Sequence, residues 1–316
     1  MGKLNDVKKK IYKKIAGGIY YYSALGKLNF ISDKTLMKIL WKLKIGTKLN
    51  LKNPKGFNEK LQWIKLYDHR NIYTEIVDKV RVRDYVKNII GEEYLVELLG
   101  VWDDANDIDF DALPNEFVLK CNHNSGGAMC VCTDKSKLNF DQVRKKLNES
   151  LKINYYDKGR EWPYKNVKPK ILCEKLLVDH DPSNTSDTLI DYKFHCFSGK
   201  PLFLYACVDG VANGEKGDSK LSFYDLDWKP APFYRSDHLP LPFDAKKPEK
   251  FDEMVEIAKK LSAGFPFMRV DLYYVDGKIY FSELTLFPGA GFGLFSPEEW
   301  ERKLGDEIIL PEKTEQ

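Results

Sequence analysis

The sequence lacks the long apolar runs and the nucleotide-binding fingerprints that would classify it at once. Its 316 residues contain no uninterrupted apolar run of the roughly 18 residues that a membrane-spanning helix needs, and the interrupted run at 15–28 does not suit a signal-peptide core. The GxxxxGK(S/T) P-loop and the GxGxxG dinucleotide fingerprint are also absent. We therefore expect a soluble, cytoplasmic protein in which any nucleotide site is built in another way.

Cysteine is sparse, and its spacing carries no metal signature. The six cysteines include no C-x-x-C pair, and most lie inside strand-like runs. This pattern indicates buried, reduced thiols. It favours a reducing compartment.

Arginine is missing from residues 1–56, which hold fourteen lysines and only two acids, Asp6 and Asp33. This segment carries a charge of +12, and because the whole chain carries +3, the remainder carries −9. A basic helical segment of this kind is either a solvated surface or a contact for an anionic membrane surface or an acidic glycan. If the segment is a solvated surface, we expect the protein to be free in the cytoplasm. If it contacts a membrane, we expect the protein to be peripheral at the inner membrane face. Since bidentate arginine is the usual reader of bases, we expect no nucleic acid partner.

The overall composition is that of an ordinary globular protein, with 43% apolar and 31% charged residues. Apolar residues recur at helical spacing over 57–67 and again over 76–86, which predicts two packing helices. Lys79, Arg81 and Arg83 in the second helix are also compatible with a salt-bridged helix surface.

Two apolar runs around Asp276-Gly277 predict a β-hairpin near the C-terminus, because Asp-Gly is a strong hairpin signal. The hairpin places Asp271 and Glu283 on neighbouring strands. A two-residue turn would pair Asp271 with Ser282, whereas a three-residue loop at 276–278 with a bulge beside it would pair Asp271 with Glu283. We predict the bulged form.

Two carboxylates held side by side repel each other unless a cation lies between them. Asp271 and Glu283 therefore suit a hard-metal site of oxygen ligands, where Mg²⁺ is completed by water and phosphate. The alternative is an exposed hairpin with scattered acids.

Earlier in the chain, lysines occupy positions that suit a phosphate-binding cleft. Lys120 ends a strand and precedes a loop containing Gly126-Gly127, whose backbone N–H groups could approach a phosphate closely, although most Gly-Gly pairs are turns. Lys193 lies on the first strand of a second predicted hairpin, at 191–208. Its side chain is on the face of the strand opposite to that of Phe194. A charged pair, Glu174-Lys175, interrupts an apolar run and requires partners.

Taken in order, several motifs resemble those of the TupA-like ATP-grasp family, over about residues 33–292. The motifs are Asn58-Glu59-Lys60-Leu61-Gln62-Trp63, Val77-Asp78-Lys79, Gly159-Arg160-Glu161-Trp162, Asp191-Tyr192-Lys193, and Glu283-Leu284-Thr285-Leu286-Phe287-Pro288-Gly289-Ala290-Gly291. The resemblance implies an α+β ATP-grasp fold, with the nucleotide between two α+β subdomains. We expect a basic helical region at 1–75 and an ATP-grasp domain at 76–316, with the subdomain boundary near 175.

The resemblance also implies which residues bind ATP. Lys120 would bind the α- and β-phosphates with help from Lys79, and Asp179 or Asp181 would hold the ribose. Two short segments would supply the lid and the adenine hinge, namely Asn124, Ser125, Gly126 and Gly127 for the lid and Glu174, Lys175, Leu176 and Leu177 for the hinge.

At the reacting end, Lys193 and Arg269 would face the γ-phosphate, and Asp271 with Glu283 would bind Mg²⁺. Thr285 stands where many ATP-grasp enzymes have asparagine, so its hydroxyl is the expected ligand of a second ion. The Rossmann-like front domain usual in the fold is missing, and the basic segment takes its place.

The implied reaction is ATP-dependent ligation of a carboxylate to an amine through an acyl phosphate. For this family the resemblance points to a uronic-acid carboxyl of a surface polysaccharide or its precursor, and to an amino acid or small amine. Two alternatives stay open, a kinase on the same fold and a non-catalytic protein that binds glycan or a membrane surface.

Overall fold

The structure, a computed structural model, describes residues 2–124, 129–181, 188–208, 211–212, 215–216 and 219–314. The helices are α1 (Gly2–Ala24), α2 (Asp33–Lys44), α3 (Phe57–Tyr67), α4 (Ile72–Val77), α5 (Val82–Ile90), α6 (Phe140–Leu151), α7 (Tyr155–Gly159), α8 (Phe251–Ser262) and α9 (Glu299–Asp306). The strands are β1 (Leu98–Trp102), β2 (Phe117–Cys121), β3 (Met129–Cys132), β4 (Ile171–Lys175), β5 (Asp191–Phe197), β6 (Lys200–Val208), β7 (Val211–Ala212), β8 (Glu215–Lys216), β9 (Lys220–Asp225), β10 (Phe267–Val275) and β11 (Lys278–Thr285).

The longer strands form two antiparallel sheets. A four-stranded sheet has the order β1-β4-β2-β3, and a five-stranded sheet has the order β11-β10-β5-β6-β9. Side chains alternate across each strand, so the apolar face of the larger sheet, including Phe194, Val270 and Leu272, packs against α8 in the main core. Its opposite face carries Lys193, Arg269 and Asp271. The polar face of the larger sheet therefore holds three of the expected site residues.

The hairpin between β10 and β11 has a two-residue turn, and the expected three-residue loop is wrong. Val275 pairs with Lys278, and both Asp276 (φ 49°) and Gly277 (φ 77°) are left-handed, a geometry that matches the twist of antiparallel strands. The bulge lies in mid-strand instead, because Leu272 pairs with Phe281 while Asp271 pairs with Glu283, leaving Ser282 as the extra residue. The expected pairing of Asp271 with Glu283 is therefore confirmed, but through a different irregularity.

The expected helix over 76–86 is also wrong, since the chain breaks between α4 and α5. Asp78 causes the break, because its buried carboxylate Oδ1 accepts hydrogen bonds from the backbone N–H of Val80 (2.9 Å) and Arg81 (3.3 Å) and from Asn122 Nδ2 (2.9 Å). The break turns Lys79 out of the helical register.

All six cysteines are free, and five of them are buried, as expected for structural thiols. In the parts of the chain that the structure describes, no helix combines the length and the apolar character needed to cross a membrane.

The C-terminal helix α9 docks on the start of α3 by a close approach of backbones at Gly305. A Cβ at this position would lie 2.1 Å from the carbonyl oxygen of Lys55 and 2.8 Å from the carbonyl carbon of Gly56. From the same helix, Glu301 accepts a hydrogen bond of 2.9 Å from Asn58 Nδ2. Docking therefore needs glycine at 305.

We predict that Gly305→Ala lowers the free energy of unfolding by about 1–3 kcal/mol, the usual cost of forcing a group into a packed interface. The control is Gly17→Ala in α1, where nothing lies within 4 Å of the added Cβ, so that alanine is neutral or stabilising. Chemical denaturation of both variants measures the difference. Equal stability of Gly305→Ala and the wild type would contradict the close approach.

Candidate functional site

A buried cluster of one acid and two cations lies at the centre of the larger sheet. Arg269 and Asp271 are two residues apart on β10, so they share a face, and the guanidinium donates from Nε to Oδ1 (2.7 Å) and from Nη2 to Oδ2 (2.6 Å). Lys193, opposite Asp271 on β5, donates from Nζ to the same Oδ2 at 2.7 Å. Asp271 is fully buried. Although burial opposes its charge, Arg269 and Lys193 hold the pKa of Asp271 below its usual value.

Asp191 completes the cluster from the start of β5 and was not among the expected site residues. Its Oδ2 accepts a short hydrogen bond from Lys193 Nζ, and its buried Oδ1 has no hydrogen-bond partner among the described residues. Burial raises the pKa of Asp191 to about 7, against the opposing effect of Lys193. Burial also opposes the charge of Lys193, but Asp191 and Asp271 raise its pKa well above the ordinary value. Lys193 therefore stays charged.

Strand β11 brings a second carboxylate beside the cluster. Glu283 lies opposite Asp271, with Oε2 3.8 Å from Arg269 Nη2. Thr285, two residues further on the same face, accepts a hydrogen bond of 2.9 Å from Arg269 Nη2. The three expected metal-ligating residues, Asp271, Glu283 and Thr285, therefore all contact or approach one guanidinium.

Lys79 reaches this site from the break between α4 and α5. Its Nζ donates to Glu283 Oε1 at 3.3 Å and to the backbone carbonyl of Asn124 at 2.6 Å. Asn124 is itself buried, with Nδ2 donating to Ser150 Oγ at 2.7 Å. The lysine thus links the larger sheet to the start of the expected lid, while Ser125, Gly126 and Gly127 lie outside the described residues.

The smaller sheet contributes a second charged cluster. Glu174 on β4 accepts from Lys120 Nζ at 2.6 Å through Oε2 and from Arg83 Nη1 at 2.9 Å through Oε1. The Glu174 side chain thus has the partners that its apolar surroundings require. Lys175 is exposed, with Nζ 3.9 Å from Glu97. Arg83 was interpreted only as part of a helix surface, and nothing in its local sequence shows that Glu174, 91 positions later, binds it.

The second cluster and Glu283 line one cleft, with about 380 Å³ of empty space including open solvent. Its lining residues come from both sheets and from the two short helices between the N-terminal segment and the smaller sheet: Ile76, Val77, Lys79, Val82, Arg83, Lys120, Glu174, Phe281, Ser282, Glu283 and Leu284. The first cluster does not line this cleft but adjoins it, because Glu283 Oε2 lies 3.8 Å from Arg269 Nη2. Three cationic and two acidic side chains line the cleft together with five apolar residues. This lining suits a ligand with an anionic end and an apolar end.

The remaining expected nucleotide contacts lie beyond β4. Leu176 and Leu177 follow the strand without regular structure and are partly exposed. Asp179 and Asp181 flank His180, whose backbone N–H and Nδ1 each lie 2.9 Å from a carboxylate oxygen of Asp276 in the hairpin turn. This segment is therefore tied to the tip of the β10–β11 hairpin.

A further buried group lies on the side of the N-terminal helices. Lys65 of α3 donates from Nζ to the carbonyls of Ala290 (2.8 Å) and Gly159 (3.2 Å), and Gln62 donates to those of Ala290 (3.0 Å) and Gly291 (2.7 Å). Both Gly289 and Ala290 are left-handed, with φ of 57° and 54°. Helix α3 thus fixes the loop that follows Thr285, a contact that sequence reasoning missed.

Glu161 lies next to this loop with 7% of its surface exposed, and no described residue donates a hydrogen bond to its carboxylate. Burial raises its pKa to about 7, with Lys65 opposing the rise and the charge of Glu283 adding to it. The preceding Arg160 is left-handed (φ 54°), and Arg160 Nη1 donates to Asn29 Oδ1 at 2.7 Å. A strained loop with an unpaired buried carboxylate is typical of a functional position.

The donor set fits magnesium bound together with phosphate. Asp271, Glu283 and Thr285 offer the oxygen ligands that Mg²⁺ prefers, and Mg²⁺ commonly takes one or two carboxylates and completes its shell with water and phosphate. Among the described residues there is no group of three or more His, Cys, Asp or Glu that could hold a metal alone. The carboxylates are held by Arg269, Lys193 and Lys79, cations that phosphate oxygens can also engage. The site therefore suits an ion that arrives with a nucleotide.

Comparison with known proteins gives a family match. The family model described as TupA-like ATP-grasp matches residues 59–309. No curated protein matches the chain. Among solved structures, D-alanine–D-alanine ligase from Bacillus anthracis is 16% identical with a TM-score of 0.43, covering 74% of this chain and 66% of its own.

The ligase from Helicobacter pylori is 13% identical with a TM-score of 0.41, covering 75% of this chain and 60% of its own. The ATP-grasp ligase PsnB, in a complex with a phosphomimetic variant of its minimal precursor, Mg and ADP, is 12% identical with a TM-score of 0.42, covering 90% of this chain and 71% of its own. The chain thus spans less than two thirds of each of these two D-alanine–D-alanine ligases. The family match covers most of the chain and confirms both the expected resemblance and the α+β ATP-grasp fold, so the protein belongs to the TupA-like ATP-grasp family.

Proposed function

We propose that this protein is an ATP-dependent ligase that joins a carboxylate to an amine and releases ADP and phosphate. The observation that carries the proposal is the buried arrangement of Lys193, Asp271 and Arg269 beside Glu283, which lines the cleft together with Lys79 and Lys120. Fixed cations aimed at one point stabilise the charge of a transferred phosphoryl group, which is the main requirement of such a transfer.

In this proposal the nucleotide lies in the cleft between the sheets, with the boundary between the two halves of the 76–316 domain near residue 175. Lys120 and Lys79 bind its phosphates, and the lid consists of Asn124, Ser125, Gly126 and Gly127. Because the Glu174 side chain is held by Lys120 and Arg83, the adenine contacts come from backbone groups of Lys175, Leu176 and Leu177. Asp179 or Asp181 holds the ribose.

At the reacting end, Lys193 and Arg269 hold the γ-phosphate and the acyl phosphate formed from it. Asp271, Glu283 and Thr285 would hold Mg²⁺, which when bound neutralises charge on the phosphate oxygens. A carboxylate is a poor electrophile, so its phosphorylation must precede attack by the amine. The fixed cations keep the acyl phosphate in place for that attack.

We further propose that the amine binds on the side of α3, with Glu161 receiving its ammonium group and accepting the proton that the nitrogen loses before it attacks. Glu161 is buried and unpaired among the described residues, and the charge of Glu283 acts on it. The loop at Pro288–Gly291, held by Gln62 and Lys65, borders the same space. The family resemblance favours a uronic-acid carboxyl of a surface polysaccharide or its precursor, and an amino acid or small amine. The lysines of the basic segment 1–56 favour a contact with an anionic membrane surface or glycan.

The reaction is tested by measuring ADP release from purified protein with uronic acids crossed with primary amines, followed by mass analysis of the product. We expect ADP release that needs both partners and a product smaller by one water than their sum. ADP release without an amine, with a phosphorylated product, would indicate a kinase and contradict the ligase.

We predict that Glu283→Gln lowers carboxylate-dependent ADP release by about a hundredfold or more, because it removes charge at the point of phosphoryl transfer. Glu299→Gln is the matched control, since Glu299 also pairs with a lysine, Lys303, at 2.8 Å but is exposed. Steady-state kinetics and circular dichroism on both variants separate activity from folding. Wild-type rates in Glu283→Gln would contradict the proposed role.

We predict that Lys120→Met raises the Kd for an ATP analogue with Mg²⁺ by about tenfold or more, since a hydrogen bond to a charged group contributes about 1.5–3 kcal/mol. Lys168→Met is the control, because Lys168 is exposed and pairs only with the surface residue Asp103 (3.2 Å) among its described contacts. Calorimetric titration measures both constants. An unchanged Kd in Lys120→Met would place the phosphates elsewhere.

We predict that Glu161→Gln lowers amide formation with charged primary amines by about tenfold or more and leaves hydroxamate formation from hydroxylamine close to wild type. Hydroxylamine is small and uncharged at neutral pH, so it traps the acyl phosphate without an ammonium site. The control is Glu301→Gln, a partly buried glutamate that is hydrogen-bonded by Asn58. Equal loss of both products in Glu161→Gln would indicate a role in phosphoryl transfer or folding instead.

A further inference from the structure

Helix α1 has one side packed against the rest of the protein. Ala16 is 2% exposed and Ser23 is fully buried, with Ser23 Oγ donating a short hydrogen bond to the carbonyl of Asp157 at α7. The helix lies against both α7 and α2. Its orientation on the protein is therefore fixed, and so is the side that it turns to solvent.

The solvent side of α1 carries an apolar stripe. Ile11 is 52% exposed, Ile15 47%, and Tyr22 51%, and Leu25 just beyond the helix is 50% exposed. At 3.6 residues per turn the first three lie within about 40° of arc, roughly 100° away from Ala16 and Ser23. We call these four residues the outer stripe. It is separate from the packed side, so packing within this chain does not explain it.

Further apolar groups and lysines surround the outer stripe. Tyr21 is 62% exposed, and Phe30, in the turn before α2, is 83% exposed. Lys14 and Lys27 are exposed beside them, within the segment whose net charge is +12 against −9 for the rest of the chain. The charge asymmetry makes the segment 1–56 basic, and the outer stripe belongs to that segment.

We propose that the outer stripe and its lysines bind the surface of an anionic phospholipid bilayer, with α1 lying in the plane of the membrane. A soluble acidic glycan or a nucleic acid would neutralise the lysines but would leave Ile11 and Ile15 in water. A bilayer accommodates both the lysines and the apolar residues. The apolar side chains enter the boundary between headgroups and acyl chains, and the lysines contact the anionic headgroups. Because no described helix can span a membrane, the contact is peripheral.

The inference is independent of the ligase reaction, because it uses none of the residues at the cleft. It bears on the acceptor, since a membrane-bound enzyme meets lipid-linked or membrane-associated carboxylates at high local concentration.

The test uses the full chain and sedimentation with vesicles of phosphatidylcholine alone or with phosphatidylglycerol. We expect binding to the anionic vesicles that weakens as salt is raised, and little binding to phosphatidylcholine. Ile15→Glu is expected to lower the partition coefficient by about tenfold. The control is Ile309→Glu, which makes the same change in size and net charge at an apolar residue that is 73% exposed elsewhere on the surface.

A second variant, Ile11→Ser with Ile15→Ser, removes apolar surface without changing charge and is expected to weaken binding in the same direction. ADP release from soluble substrates is expected to stay at the wild-type level in all three variants, because the stripe lies outside the cleft. Equal vesicle binding by Ile15→Glu and Ile309→Glu would overturn the proposal. Binding to an anionic polysaccharide but not to vesicles would overturn it as well and would assign the lysines to a glycan.

Discussion

The site depends on the burial of Asp271 between Arg269 and Lys193. A buried carboxylate left unpaired costs about 3–5 kcal/mol, so the two cations are held where the acid requires them, at 2.6 to 2.7 Å. Those same cations are what a phosphoryl group needs. The pairing of Asp271 with Arg269 and Lys193 thus stabilises the sheet and also preorganises the site for an anion. The acid holds the two cations in position before a ligand binds.

Helix α3, which follows the basic segment 1–56, contacts the loop beside the candidate site. Gln62 and Lys65 of α3 bind the carbonyls of Ala290 and Gly291, and α9 holds α3 through Asn58 and Glu301. The loop after Thr285 is left-handed at Ala290, a conformation that costs a non-glycine residue about 1–2 kcal/mol. The donors from α3 offset this cost and keep the loop beside Glu161.

Local patterns predicted the strands, the β10–β11 hairpin and the opposition of Asp271 and Glu283, because alternation and an Asp-Gly turn act over a few residues. They placed the bulge at the turn, since nothing near Ser282 shows that the strand needs an extra residue there. They also missed the break at Asp78, because its partner Asn122 lies 44 positions later. Lys79 and Lys65 escape local reasoning for the same reason: distant contacts decide where their side chains point.

The departure at Thr285 from the asparagine common in the fold has a structural consequence. Thr285 Oγ1 accepts a hydrogen bond from Arg269 Nη2, and that guanidinium also binds Asp271 and approaches Glu283. An amide oxygen on a longer side chain would reach further from β11 than this hydroxyl. The threonine therefore ties Arg269 to the hairpin, so that the guanidinium is fixed from β10 and β11 together.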